Sequence, residues 1–426
     1  MTTTHITMPL ALAAAALTAT PASAQYGAPS PTQQQQPTQV QPADPSGEAK
    51  GTFNVSRRAS KALTELQKAV SANDVANIPA KLAAAQAVAQ SKEEKYFVAQ
   101  QQLKAAVTAK DHAAVAVALE AVLASGGVEP AKVAPLFVNL GNIHMQAKQD
   151  AQAAAAFERA LAISPNDADA LALLGETRNS QGRANEAVAL FQRALQAKQA
   201  GGQKAQESWY KRAIAVAYQA KLPSTMELSR QWVAAYPSPA SWRDSLRVYR
   251  RLTDPDKDTI LDMLRLARAT GALDGDADFH SYAFLASEAS SPGEGRAVID
   301  EAIAARQIDP NKPLFKEIIP ALKANRELLR EGLPAVATNA LADPAARLAM
   351  RAANAYYGYG DYAKAAELYR AALTKTGVDA SLANLRLGMA LARAGDKAGA
   401  MAALNAVTGP RAELAKYWLV YVATRT

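Results

Sequence analysis

"LGNIHMQAKQDAQAAAAFERALAISP", residues 140 to 165, carries Leu140-Gly141, Ala153, Phe157, Ala160 and Pro165. Thirty-four residues later the chain restates the series as Leu174-Gly175, Ala187, Phe191 and Ala194. A fixed interval of this kind marks an internal repeat built of two helices. Each residue type has a task in such a hairpin. The glycines and alanines let its two helices approach closely, and the phenylalanines fill the space toward the next hairpin. Pro165 ends the second helix, because proline cannot continue the hydrogen-bond ladder.

The same periodicity extends outward. From about residue 56 to the end, apolar residues recur at spacings of three and four, and Gly, Asn-Asp or Pro interrupts them regularly. Runs of alternating β-branched residues are absent, so the expected class is all-α. The chain has 426 residues, enough for two or three ordinary domains or for one extended array. It is 49% apolar, with only 6% aromatic residues, which favours close-packed helices over β-sandwiches.

Two further copies lie near the C-terminus. Residues 352–373 carry Ala353, Tyr356, Gly360-Asp361-Tyr362, Ala365, Tyr369 and Ala372, and residues 385–404 carry Leu387-Gly388, Gly395-Asp396, Ala400 and Leu404. With Phe137, His144 and Pro165 in register, the pattern resembles the tetratricopeptide repeat (TPR). Arg178 stands where that pattern has a tyrosine. The resemblance implies a right-handed α-solenoid of about ten hairpins. A single hairpin cannot hide its apolar face, so copies must stack. Clear repeats are expected at 134–200 and 345–410, degenerate ones at 56–132 and 201–344, and a capping helix at 411–426. "SAND" at 71–74 and "AKD" at 109–111 read as mid-hairpin turns, and 313–344 is the least readable stretch. The resemblance also implies a scaffold for other proteins, with the first helix of each hairpin lining a concave groove.

The N-terminus is a separate object. Residues 1–24 have an apolar stretch too short to span a bilayer and close on Ala22-Ser23-Ala24, as a secretory signal does. No Lys or Arg precedes that stretch. Residues 25–55, rich in Pro and Gln, read as a disordered linker. The expected location is therefore the bacterial periplasm, with no stable membrane insertion and no nucleic-acid partner.

Catalytic chemistry finds little support. Cysteine is absent, and His5, His112, His144 and His280 are scattered without metal-ligand spacing. His144 falls on a repeat core position. "DPDKD" at 254–258 and "DGDAD" at 274–278 resemble the start of a calcium loop, but Thr259, Arg265, Phe279 and Leu285 stand where Gly and Glu are required. Helix caps explain both runs better, with Asp254 before Pro255 as a helix start. The chain is thus expected not to be an enzyme and to need no cofactor or metal.

The most informative feature is basic. Residues 201–252 hold nine Lys or Arg against three acids, a net +6 of the chain's +8. "WRDSLRVYRR" sets Arg243, Arg247, Arg250 and Arg251 on one helical face. If Trp242 takes the repeat's tryptophan place, the resemblance puts these arginines on the groove. They would then clamp carboxylates or phosphates; otherwise they form a solvated face. The Lys and Asn of the family's carboxylate clamp are not matched, since Val138 and Met350 replace the lysine. An adaptor holding an acidic peptide or protein is the leading expectation. A helper in exopolysaccharide or outer-membrane export, touching anionic glycan, is the alternative, and a cell-wall turnover enzyme a remote one.

Overall fold

The computed structural model describes residues 5–7 and 52–425. Residues 8–51, which hold most of the expected signal and the linker as far as residue 51, lie outside the described residues. Two three-residue strands, β1 (His5–Thr7) and β2 (Thr52–Asn54), pair antiparallel with Ile6 opposite Phe53. Every later named element is helical.

The helices divide into two compact units, one ending at Ala205 and the other spanning Gln206–Thr426. The first contains α1 (Arg57–Ser71), α2 (Ile78–Val88), α3 (Lys92–Thr108), α4 (His112–Ala124), α5 (Pro130–Gln146), α6 (Asp150–Ile163), α7 (Ala168–Ser180) and α8 (Ala184–Ala200). The second opens with α9 (Glu207–Gln219), α10 (Ser224–Ala235), α11 (Pro239–Thr253), α12 (Lys257–Ala269), α13 (Gly275–Glu288) and α14 (Pro292–Ala304). After α15 (Pro313–Lys316) and α16 (Ile318–Ala342) come α17 (Ala346–Gly358), α18 (Tyr362–Ala372), α19 (Ala380–Ala394), α20 (Lys397–Asn405) and α21 (Ala412–Thr424).

Local chemistry sets the hairpin turns. At both expected mid-hairpin turns a residue takes positive φ, Asn73 at 52° and Lys110 at 55°, and Asp111 then caps α4 through the Ala114 amide. The Gly-Asp pairs of the C-terminal copies act alike. Gly360 and Gly395 adopt φ of 83° and 88°, which costs glycine least, and Asp361 and Asp396 accept the amides of Lys364 and Gly399. The Asp254 expectation needs correcting. Asp254 ends α11 in the left-handed region at φ 44°, and Asp256 is the residue that caps α12.

Packing follows the repeat. A methyl group on Gly141 would stand 2.5 Å from the Phe157 ring, so the α5–α6 hairpin closes only around glycine. His144 is buried and paired to Gln149 at 2.7 Å, as its core position requires. Arg178, in the tyrosine place, is almost buried and bonds Gln181 and Glu158 instead. The segment 313–344 is hard to read because it is no hairpin. It is a four-residue turn of helix followed by one 25-residue helix that carries Pro334 inside it.

The units differ in how their cores are organised. In the first, buried apolar side chains form local groups, one around Leu63, Leu66 and Phe97, another around Leu119, Leu136 and Leu140, and a third around Phe157 and Leu174. In the second one large cluster runs from Val233 to Val422. The reason is α12, whose Leu261, Met263, Leu264 and Leu266 are buried on every side of the helix. A helix buried all round must sit inside a larger assembly. α12 packs on α13 and also touches α21, the expected capping helix, which lies against α10, α19 and α20 as well.

Candidate functional site

A groove in this architecture is the row of first helices, here the odd-numbered ones. Its state differs between the clear repeats. In α5 and α7 the positions flanking the Leu-Gly pairs stay in reach of solvent: Asn139 is exposed, and Asn142, Leu173 and Glu176 are half-buried. In α17 and α19 most of the matching side chains are buried: Asn354, Arg386 and Met389 face the chain's own interior, while Arg351 stays exposed.

Charged groups of α12 fill that interior. Arg386 Nε lies 3.1 Å from both carboxylate oxygens of Asp262, and Nη2 lies 2.7 Å from Asp258. Arg265 donates to Asp262 at 2.8 Å and to both oxygens of Glu294 at 2.9 and 2.7 Å. Its guanidinium stands 4.7 Å from the Tyr357 ring centroid. Tyr282 donates to Glu294, and Tyr369 donates to Asn354. Burial by itself would raise the Glu294 carboxyl, but the charge and bonds of Arg265 carry it below its ordinary value. Arg265, Asp262 and Glu294 are fully buried and mutually paired, the arrangement of a structural ion network. Sequence reasoning missed Arg386. The signal was there: it stands two residues before Gly388 in a clear repeat, on the groove side of a first helix.

The four arginines singled out from sequence do lie together on α11, in two settings. Trp242, Ser245, Leu246 and Tyr249 form the buried face of the helix, and Tyr249 meets the Tyr417 ring edge-on at 5.9 Å. Toward α13, Arg243 and Arg247 share the carboxylate of Asp274 at 2.9 and 3.1 Å. Those bonds hold Asp274 below its ordinary pKa, the hydrogen bond from Arg243 foremost. Asp274 stands at the N-cap of α13 yet makes no side-chain cap bond. Arg243, Arg247 and Arg250 border a recess of about 110 Å³ with Asp278. Burial, the leading cause, raises the Asp278 carboxyl.

Toward α9, Arg247 and Arg251 border a larger recess of about 360 Å³. Its walls come from α9 (Lys211, Ile214, Ala215, Tyr218), α10 (Ser229, Trp232) and α11 (Asp244, Val248). Glu207 holds two of these in place, accepting from Trp232 Nε1 at 3.0 Å and pairing Lys211 at 3.1 Å. Lys211 Nζ then lies 5.3 Å from the Trp232 ring centroid, within cation–π range. Among the described residues, neither Arg250 nor Arg251 makes an ion pair.

Further chemistry is sparse. Among the described residues no three His, Asp or Glu side chains cluster as metal ligands, and no helix is long and apolar enough to cross a membrane. His280 stacks on Phe284 at 6.4 Å.

Tetratricopeptide-repeat profiles match residues 134–167 and 350–415. Together with the hairpin geometry, these matches show that the chain contains tetratricopeptide repeats. Such repeats act as scaffolds for protein–protein interaction. Two solved structures are similar to it at low level. One is a tetratricopeptide repeat protein from Parabacteroides merdae ATCC 43184, 12% identical over 70% of this chain and 99% of that one, with a TM-score of 0.28. The other is Naa15/Naa10 bound to HypK-THB, 12% identical over 83% of this chain and 58% of that one, with a TM-score of 0.31. Comparison with curated proteins returned no match.

Proposed function

We propose that the chain is a non-enzymatic adaptor of the bacterial periplasm that holds an acidic peptide or protein on the arginine face of α11. The observation that carries this reading is the pair Arg250 and Arg251. Both are exposed, each borders a recess beside α11, and among the described residues neither is neutralised by an ion pair. A guanidinium presents donors in a fork that matches a carboxylate, so an acidic partner gains bidentate bonds there. Periplasmic location rests on the signal-like residues 1–24 alone.

The test is a pull-down from envelope extract with the full chain and with a variant in which Arg243, Arg247, Arg250 and Arg251 are reversed to Glu. Loss of the captured partner, with the circular dichroism of the chain unchanged, is the expected result. Recovery of every partner by the reversed chain removes this face from the account. Fusion of residues 1–24 to a reporter active only after export tests the location independently.

A further inference from the structure

Resting on the acidic-partner reading, we propose that the recess between α9 and α11 seats the partner's anchor: a large apolar side chain with a carboxylate one or two residues away. The arginine face is not uniform, and its asymmetry selects the occupant. Arg243 and Arg247 already share Asp274, and Arg247 has Asp244 within 3.7 Å as well. Arg250 looks into a small recess that also holds Asp278. Arg247 and Arg251 both border the mainly apolar walls formed by Ile214, Ala215, Tyr218, Trp232 and Val248, and of the two only Arg251 makes no ion pair among the described residues.

Charge and shape then point to one kind of ligand. The volume of about 360 Å³ falls in the ~300–1,000 Å³ range of binding clefts. Its floor is rigid, since Ile214 and Trp232 are nearly buried and Trp232 is fixed by its bond to Glu207. A purely acidic stretch would leave that floor wet and would bring its charges against Asp244. A purely apolar one would bury the Arg251 guanidinium unpaired. A segment with one apolar residue beside a carboxylate satisfies both, the side chain on the floor and the carboxylate on Arg251. Buried anchors of this sort supply most of the affinity of small interfaces.

The experiment pans random phage-displayed peptides against the full chain and measures one enriched peptide by fluorescence anisotropy. Three proteins are compared: the wild type, R251E and Ala215→Trp. Ala215 is exposed on α9, so the indole fills the recess without entering the core. Enriched peptides should pair Asp or Glu with Phe, Trp, Leu or Met within two positions. R251E, A215W and replacement of the peptide's apolar residue by Ala should each weaken binding at least about tenfold. Enriched peptides that are acidic but lack the apolar residue, or an A215W affinity within about twofold of wild type, overturn the anchor and leave the acidic-partner reading standing. Enriched peptides without acids, an R251E chain that binds normally, or no enrichment at all overturns both.

Discussion

The hairpin α5–α6 and the hairpin α19–α20 share a Leu-Gly pair, small residues and a large apolar residue at the same spacings, yet their inner faces end differently. Beside Gly141, Asn142 stays in reach of solvent; beside Gly388, Met389 is fully buried. A repeat motif thus specifies how two helices close on each other. Whether the face it presents is free for a partner depends on what else the chain can place there. In the second unit that place is taken by α12, and the arginine that could clamp a ligand's acids, Arg386, already clamps Asp258 and Asp262. On the proposed reading, partner binding in that unit falls to the face of α11, outside the filled interior.

The largest effect that would break this contrast is electrostatic. Glu294→Ala leaves Arg265 buried without its main counter-charge and should destabilise the second unit by about 3–5 kcal/mol in urea unfolding. Glu158→Ala, which removes a half-exposed partner of Arg178 in the first unit, should cost no more than about 1 kcal/mol. Equal losses would mean that the two interiors are not different in kind. The sign of the pH dependence follows from the lowered Glu294 carboxyl. Its contribution is complete above its ordinary pKa of 4.5 and is lost as pH falls through the folded value. The stability gap between wild type and E294Q should therefore narrow on acidification.

Next in size are paired cavities. Leu140→Ala and Leu264→Ala should each cost about 2–5 kcal/mol, but in different patterns of hydrogen exchange. In a stack whose members touch only their neighbours, the L140A loss should spread no further than α4 to α7. L264A should raise exchange from α10 to α21. Confinement of the L264A effect to α11–α13 would show that the second unit is also a simple stack.

The smallest effect sharpens the arginine face. Asp274→Asn removes the carboxylate shared by Arg243 and Arg247 and caps nothing less than before, since Asp274 makes no cap bond. Titration with an acidic peptide should show binding about two- to fivefold tighter, worth up to ~1 kcal/mol. Weaker binding by D274N would mean that Asp274 orders the site instead of occupying it.

Much of this was legible in the sequence because short-range chemistry encodes it. Helical spacing, the Gly-Asp turns and the closure around Gly141 depend on residues a few positions to one hairpin apart. The arginine cluster on α11 was likewise readable, since one helix turn sets it. Three things were not. Asp254 reads as a cap from its Pro255 neighbour, but the tight reversal after α11 puts it in the left-handed region and passes the cap to Asp256. The long α16 breaks the repeat and has no local signature. The filling of the C-terminal groove joins residues more than 120 positions apart, Asp262 with Arg386, and no window of sequence spans such a pair.

That long reach governs the order of events at synthesis. Arg230 finds Glu413, and Asp256 finds Arg411, only after residues 411–424 have been made. Until then α12 emerges as an oily, charged segment with nowhere to settle, and loop closure over so great a separation is slow. The first unit, joined neighbour to neighbour, can consolidate while the rest is still being translated. A ribosome stalled after the first unit is complete but before codon 411 would release a chain with one finished half and one that quality-control proteases can recognise.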